Sequence, residues 1–332
     1  MNRLINSCLV VGLLLNTSCV FGNDAAMRRA IQNGARAKLT FHVTDSHGNP
    51  VTNANVSASF LVLSGEGDNT INSITDTNGM CTVEGLCSEE ILCQFSKEGY
   101  YDTRNYKYDI LSDYPMPSSA LKDGRWQPWN PTINIILKEK RNPIPMYAKG
   151  FSVEYPCINE SVGYDLEKGD WVSPHGKGTV ADMVLCFEED IVTWGKEWKR
   201  TLTIQFSEEY NGAYLLKKES GGFATEYEAR EKGDYQSRFE YVTECRDGKM
   251  IKIENLGENE YLVFRIRSKI NEKGELVSAQ YGKIYGPLGY GNGRLRRVGF
   301  TYYLNPTPND RNLEYDPNEN LFDKRKFRGM QP

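Results

Sequence analysis

Apolar and polar residues alternate one for one along several short stretches of this chain. Leu39, Phe41 and Val43 share one side of such a stretch, with Lys38, Thr40 and His42 on the other. Ala54, Val56, Ala58, Phe60 and Val62 repeat the pattern, as do Ile91, Cys93 and Phe95, then Ile133, Ile135 and Leu137. A period of two is the mark of a strand with one buried face. Turn chemistry separates the stretches. In "DSHGNP", Asp45 and Ser46 can bond back to the backbone, Gly48 can take positive φ, and Pro50 fixes φ before the next strand. "TDTNG" offers Asn78-Gly79 for a tight hairpin. Beyond residue 150 the alternation returns at Leu202, Ile204 and Phe206 and at Leu262, Phe264 and Ile266, with "CRDGKM" and "INEKGELV" as hairpin turns. No helical stripe is sustained there. The pattern predicts an all-β chain whose first third is a sandwich.

The turns and strands of that first third form a longer phrase. It runs Val43-x-Asp45-x-x-Gly48-x-Pro50-Val51-x-x-Ala54-x-Val56, then Thr75-Asp76-x-x-Gly79, then Gly99-Tyr100. It resembles the carboxypeptidase regulatory-like domain over residues 35–140. The resemblance implies a transthyretin-like or immunoglobulin-like β-sandwich of the prealbumin type. It also implies an appended, non-catalytic module of an exported or outer-surface protein, related in shape to carbohydrate-binding sandwiches. No peptidase is implied. Two departures stand out. Cys81 occupies the place of an aromatic, and a long insert, "DYPMPSSALKDGRWQPWNP", precedes the last strand. A long loop in a compact domain is often functional. Its Trp126 and Trp129 have two readings: stacking on a sugar or partner, or packing.

A linker at 141–147, in "KEKRNPIPMY", leads to a second β-rich antiparallel domain over 148–325 with no family resemblance. There "KGDWVSPHGKGTVAD" carries Trp171 and His175 in a Gly- and Pro-rich loop, which makes both candidate binding residues. Asp170, His175 and Asp182 form a conceivable acid–base group, but no nucleophile elbow and no Cys with a matching His accompany them. "YGKIYGPLGYGNGR" lacks the Lys-Ser/Thr of a phosphate cradle and reads as a bulged strand pair. Asp310, Glu314, Asp316 and Glu319 lack calcium-loop spacing and read as solvated chain. The sequence therefore offers no catalytic residue, no metal ligand and no cofactor site.

Composition narrows the class. With 40 Lys and Arg against 44 Asp and Glu, the chain has no basic face for nucleic acid. Residues 1–22 read as a signal peptide, with Arg3 before the apolar run Leu9–Leu15. Within it, "LNTSC" makes Cys19 a candidate lipidation site. Soluble export and lipid anchoring are the two outcomes, and an anchor is the one expected membrane contact. Six cysteines follow the leader, with no Cys-x-x-Cys spacing for zinc or a redox motif. The sequence thus reads as an exported, periplasmic, extracellular or outer-surface protein of a bacterial cell envelope. Binding or structural work is the reading, with glycan or envelope protein as partner. The alternative is an exported hydrolase with an unrecognised site in the second domain.

Overall fold

The computed structural model describes residues 25–63, 69–88, 90–109, 118–219, 221–290, 296–322 and 332. The expected signal peptide and Cys19 lie outside these residues, as does the first part of the tryptophan insert. The chain divides into two compact units, Met1–Lys140 with Ser220–Phe223, and Arg141–Glu219 with Ala224–Pro332. Both are built from sheets whose strands pair mainly antiparallel, with a few parallel pairs, and the all-β expectation holds.

The first unit is a sandwich of two sheets. One contains β1 (Ala35–Thr44), β4 (Met80–Cys87), β7 (Leu121–Lys122), β8 (Arg125–Trp126) and β9 (Thr132–Ile136). In it β1 pairs with β4, β8 and β9. The other runs in the order β3 (Thr70–Ile74), β2 (Asn55–Phe60), β5 (Glu90–Ser96), β6 (Thr103–Asp109). The inner faces meet through the residues that alternate in the sequence. Leu39, Phe41, Val43, Val56, Ala58, Phe60, Ile91, Cys93 and Phe95 are all buried in one cluster. Phe41 and Phe95 meet edge to face with ring centroids 5.0 Å apart.

Three features depart from the sequence reading. Thr40, expected outward, is buried, because Asn130 and Thr82 cover it with hydrogen bonds of 2.8 and 2.9 Å. Asn78-Gly79 does not close a hairpin: β3 and β4 belong to different sheets, and the turn carries the chain from one to the other. Asp76 makes that crossing, its carboxylate accepting from the Asn78 and Met80 N–H groups at 2.8 Å each. Residues 25–33 form an unforeseen helix, whose Met27, Ala30 and Ile31 pack on the first core. Their i, i+3, i+4 spacing was its available signal.

The second unit holds two six-stranded sheets. The first runs β12 (Asp170–Trp171), β11 (Ser161–Asp165), β13 (Met183–Thr193), β14 (Glu197–Phe206), β16 (Arg238–Arg246), β17 (Lys249–Ile253). The second runs β15 (Gly212–Lys217), β18 (Glu260–Ile270), β19 (Leu276–Tyr290), β20 (Arg297–Leu304), β10 (Ile144–Glu154), β21 (Tyr315–Asn320). Leu185, Phe187, Leu202 and Ile204 of one meet Leu262, Phe264, Ile284 and Phe300 of the other in a single core. The second sheet is buried on its outer face as well, where Ala229 and Leu313 cover Tyr214, Val263 and Tyr281. "CRDGKM" turns as expected, with Asp247 and Gly248 both at positive φ between β16 and β17. The glycine-rich stretch is a bulged strand: β19 slips register against β20 between Tyr285 and Gly289.

Candidate functional site

The opening motif folds as scaffold. Asp45 accepts from the N–H groups of His47 and Asn49 at 2.8 Å each and from the Asn49 side chain at 2.9 Å. Burial pushes its carboxyl up, but these bonds outweigh that and hold it below the ordinary carboxylate value. Its oxygens are spent on closing the turn.

The tryptophans take different places. Trp126 is 3% exposed in the first core, and its indole N–H donates to the Cys87 carbonyl at 2.6 Å. The segment read as loop forms the short pair β7–β8 at the margin of a sheet. Trp129 is half-buried, with the Arg125 guanidinium 5.0 Å and the Lys38 ammonium 6.0 Å from its ring. Trp171 is 6% exposed in the second core, edge to face with Tyr155 and Tyr164. Trp126 and Trp171 thus pack, and a sugar ring reaches neither without displacing core.

The acid–base group does not assemble. Asp170 caps its own loop through the Trp171 and Lys177 N–H groups. Asp182 is buried on the Arg267 guanidinium, at 2.8 and 3.0 Å. His175 is exposed and stands beside Cys157, whose Sγ is 4.0 Å from both ring nitrogens. The sequence reading did not foresee this Cys–His neighbourhood. At that distance neither nitrogen takes the thiol proton in a hydrogen bond. Glu314, expected in solvent, is buried and accepts from the Arg141 and Asn142 N–H groups at 2.8 and 2.6 Å. Among the described residues no three His, Cys, Asp or Glu side chains gather as a metal would require.

What the first unit does present is an open trough of about 650 Å³ on the outer face of β3, β2 and β5. Strand register builds it. Asn72, Ser57 and Gln94 form one row across three strands, and Ile74, Asn55 and Ser96 the next. Val56, Ala58, Cys93 and Phe95 point the other way into the core, so alternation sends these side chains outward. Asn55, Ser57, Asn72, Gln94 and Ser96 make no side-chain hydrogen bond with another described residue. The adjoining row differs, for Ser59 and Thr70 bond each other at 2.9 Å. The trough is uncharged, whereas the opposite sheet's outer face carries Arg36 and Lys38 paired with Glu84. Sequence reasoning missed it because its residues are adjacent only through strand register.

No protein-family model matches this chain, and no curated protein is similar to it in sequence. Solved structures give distant likenesses. A 3-chlorocatechol 1,2-dioxygenase from Rhodococcus opacus aligns at 13% identity and a TM-score of 0.26, over 32% of this chain. The chain spans 61% of that dioxygenase's length. A DUF3823 family protein from Parabacteroides merdae aligns at 11% identity and a TM-score of 0.19, covering 70% of this chain and 91% of that one. The shaft pilin SpaA from Lactobacillus rhamnosus GG aligns at 9% identity and a TM-score of 0.21, covering 80% and 93%. This chain is a two-unit, all-β protein with a β-sandwich as its first unit.

Proposed function

We propose that the chain is a non-catalytic binding protein of a bacterial cell envelope, exported by its first 22 residues and presenting the trough of its first sandwich to a ligand. The trough carries this reading: five polar side chains, Asn55, Ser57, Asn72, Gln94 and Ser96, aligned by register, have no hydrogen-bond partner among the described residues. The polar groups of the second unit that might have done chemistry are committed to caps and ion pairs. The first unit is read as a carboxypeptidase regulatory-like module, on the phrase from Val43 to Tyr100. No helix among the described residues is long and apolar enough to cross a membrane, so a membrane attachment would run through Cys19.

Fractionation of cells expressing the whole chain tests the location. The expected product lies in the envelope and begins near residue 23, or at a lipidated Cys19. A cytoplasmic product with residues 1–22 intact would overturn the exported reading.

A further inference from the structure

We infer that the ligand of the trough is a neutral, hydroxyl-rich glycan, an inference that rests on reading this face as the binding site. The argument starts from charge. A quarter of all residues in the chain are charged (25%), yet none of the eight lining the trough is. A phosphate, an acidic polysaccharide or a basic peptide would find no counter-charge here. Neutral hydroxyls would find the right chemistry. Side-chain amides of Asn55, Asn72 and Gln94 each offer two donors and an acceptor, and the hydroxyls of Ser57 and Ser96 offer both. A sugar hydroxyl is likewise donor and acceptor, so either orientation is met.

Shape and the apolar component agree. A volume near 650 Å³ falls within the roughly 300–1,000 Å³ of small-ligand sites. Ile74, 60% exposed at the end of the second row, gives the C–H face of a pyranose ring an apolar seat. The rows lie on paired strands, and the neighbouring strand spacing of about 4.8 Å is fixed by backbone hydrogen bonds. The donors are therefore held in place by the sheet before any ligand arrives, which reduces the entropy lost on binding. A protein strand is the competing occupant. It would seek the backbone edge of β3, whereas the unpartnered side chains stand on the face of the sheet.

The test uses the full chain on an array of neutral and acidic oligosaccharides, with hits titrated by calorimetry. The expected result is binding of neutral glycans with Kd on the order of 1 mM, as suits an open, wet site without an aromatic platform. Raising salt from 0.05 to 0.5 M should leave it unchanged, since no charge takes part. Asn72→Ala and Gln94→Ala should each weaken it roughly three- to tenfold, the loss of one neutral hydrogen bond. Asn72→Arg should abolish it while leaving the melting temperature in place, because position 72 is exposed. Trp129→Ala should leave binding intact. Salt-sensitive binding of acidic glycans, or neutral-glycan binding that survives Asn72→Arg, overturns the inference. So does the absence of glycan binding. If a protein partner is then displaced by Asn72→Arg, the trough remains the binding face and only its ligand class was wrong. If Asn72→Arg and Gln94→Ala alter the binding of no ligand or partner, the reading of the face itself fails too.

Discussion

Replacing Arg267 by Met should cost the second unit about 3–5 kcal/mol, because it strands a buried carboxylate. Asp165 and Asp182 are each 1% exposed, and Arg267 reaches both from β18. The two acids are not equally dependent on it. Asp165 accepts from four backbone N–H groups (Glu167, Lys168, Thr179, Val180) and the Thr179 hydroxyl, and it receives one bond from Arg267, at 3.1 Å. Asp182 takes one backbone bond, from Leu166, and two from Arg267, at 2.8 and 3.0 Å. Arg267→Met keeps the stem and removes the guanidinium, so Asp182 loses two of its three hydrogen bonds. Burial already pushes the Asp182 carboxyl above its usual value despite Arg267, and in the variant it rises further. Asp165 lies below its usual value, since its backbone bonds and Arg267 outweigh burial. The pH signs follow. A carboxyl raised by folding is favourable to the fold below its unfolded value near 3.8 and unfavourable once pH passes the raised value. The deficit of Arg267→Met should therefore be full at pH 7 and shrink as pH falls toward 4. Thermal melts followed by circular dichroism should show a drop of roughly 6–20 °C, taking 2–4 °C per kcal/mol for a domain of 150–250 residues. Adding Asp182→Asn removes the stranded charge and should return about 2 kcal/mol. A loss under about 1 kcal/mol, or no recovery in the double variant, would refute the claim that Asp182 depends on this guanidinium.

The remaining predictions concern the first unit and the thiols. Trp126→Phe should destabilise the first unit by about 1–3 kcal/mol by orphaning the Cys87 carbonyl, and Trp126→Ala by more, read from denaturant titration. Gly79→Ala should also destabilise by about 1–3 kcal/mol, because Gly79 sits at φ +71 and a Cβ there would stand 2.3 Å from the Val43 carbonyl oxygen. Native alkylation at pH 8 followed by mass spectrometry should modify Cys157 and Cys186 before Cys81, Cys87, Cys93 and Cys245, which are buried. Cys93 should be inert even at pH 10, since burial and the neighbouring Cys81 and Cys87 push its thiol up to about 12.

Much of the fold was legible because alternation is a local signal. Leu39, Phe41 and Val43 needed no partner to announce a buried face, and Asp45 needed nothing beyond Asn49 to announce a turn. The signal weakened where a second layer covered a strand. In β18, Tyr261 and Val263 are buried on the face opposite Leu262 and Phe264, so the sequence there reads as a continuous apolar run. The tryptophans misdirected attention for a related reason. Gly, Pro and polar neighbours said loop, and nothing nearby said that the Cys87 carbonyl, 39 positions back, would accept the indole N–H.

The trough lies at the far end of this scale. Its polar residues are unremarkable singly: Asn55 and Ser57 on one strand, Asn72 on the next, Gln94 and Ser96 on a third. Alternation places each of them outward, but it cannot say that Asn72, Ser57 and Gln94 share a row. That depends on register, which turn geometry and the whole core fix together. One trace was nonetheless readable. The outward positions of β1 and β4 include Arg36, Lys38 and Glu84, which pair across the strands. The corresponding positions of β2, Asn55, Ser57 and Ser59, and those of β5 at the trough, Gln94 and Ser96, carry no charge, and the charged Glu90 lies at the far end of β5, paired with Lys107. A solvated sheet face is free to take charged residues and often does, for solubility and to discourage pairing. The part of this face where amides and hydroxyls replace charges is therefore the place to look for a neutral partner.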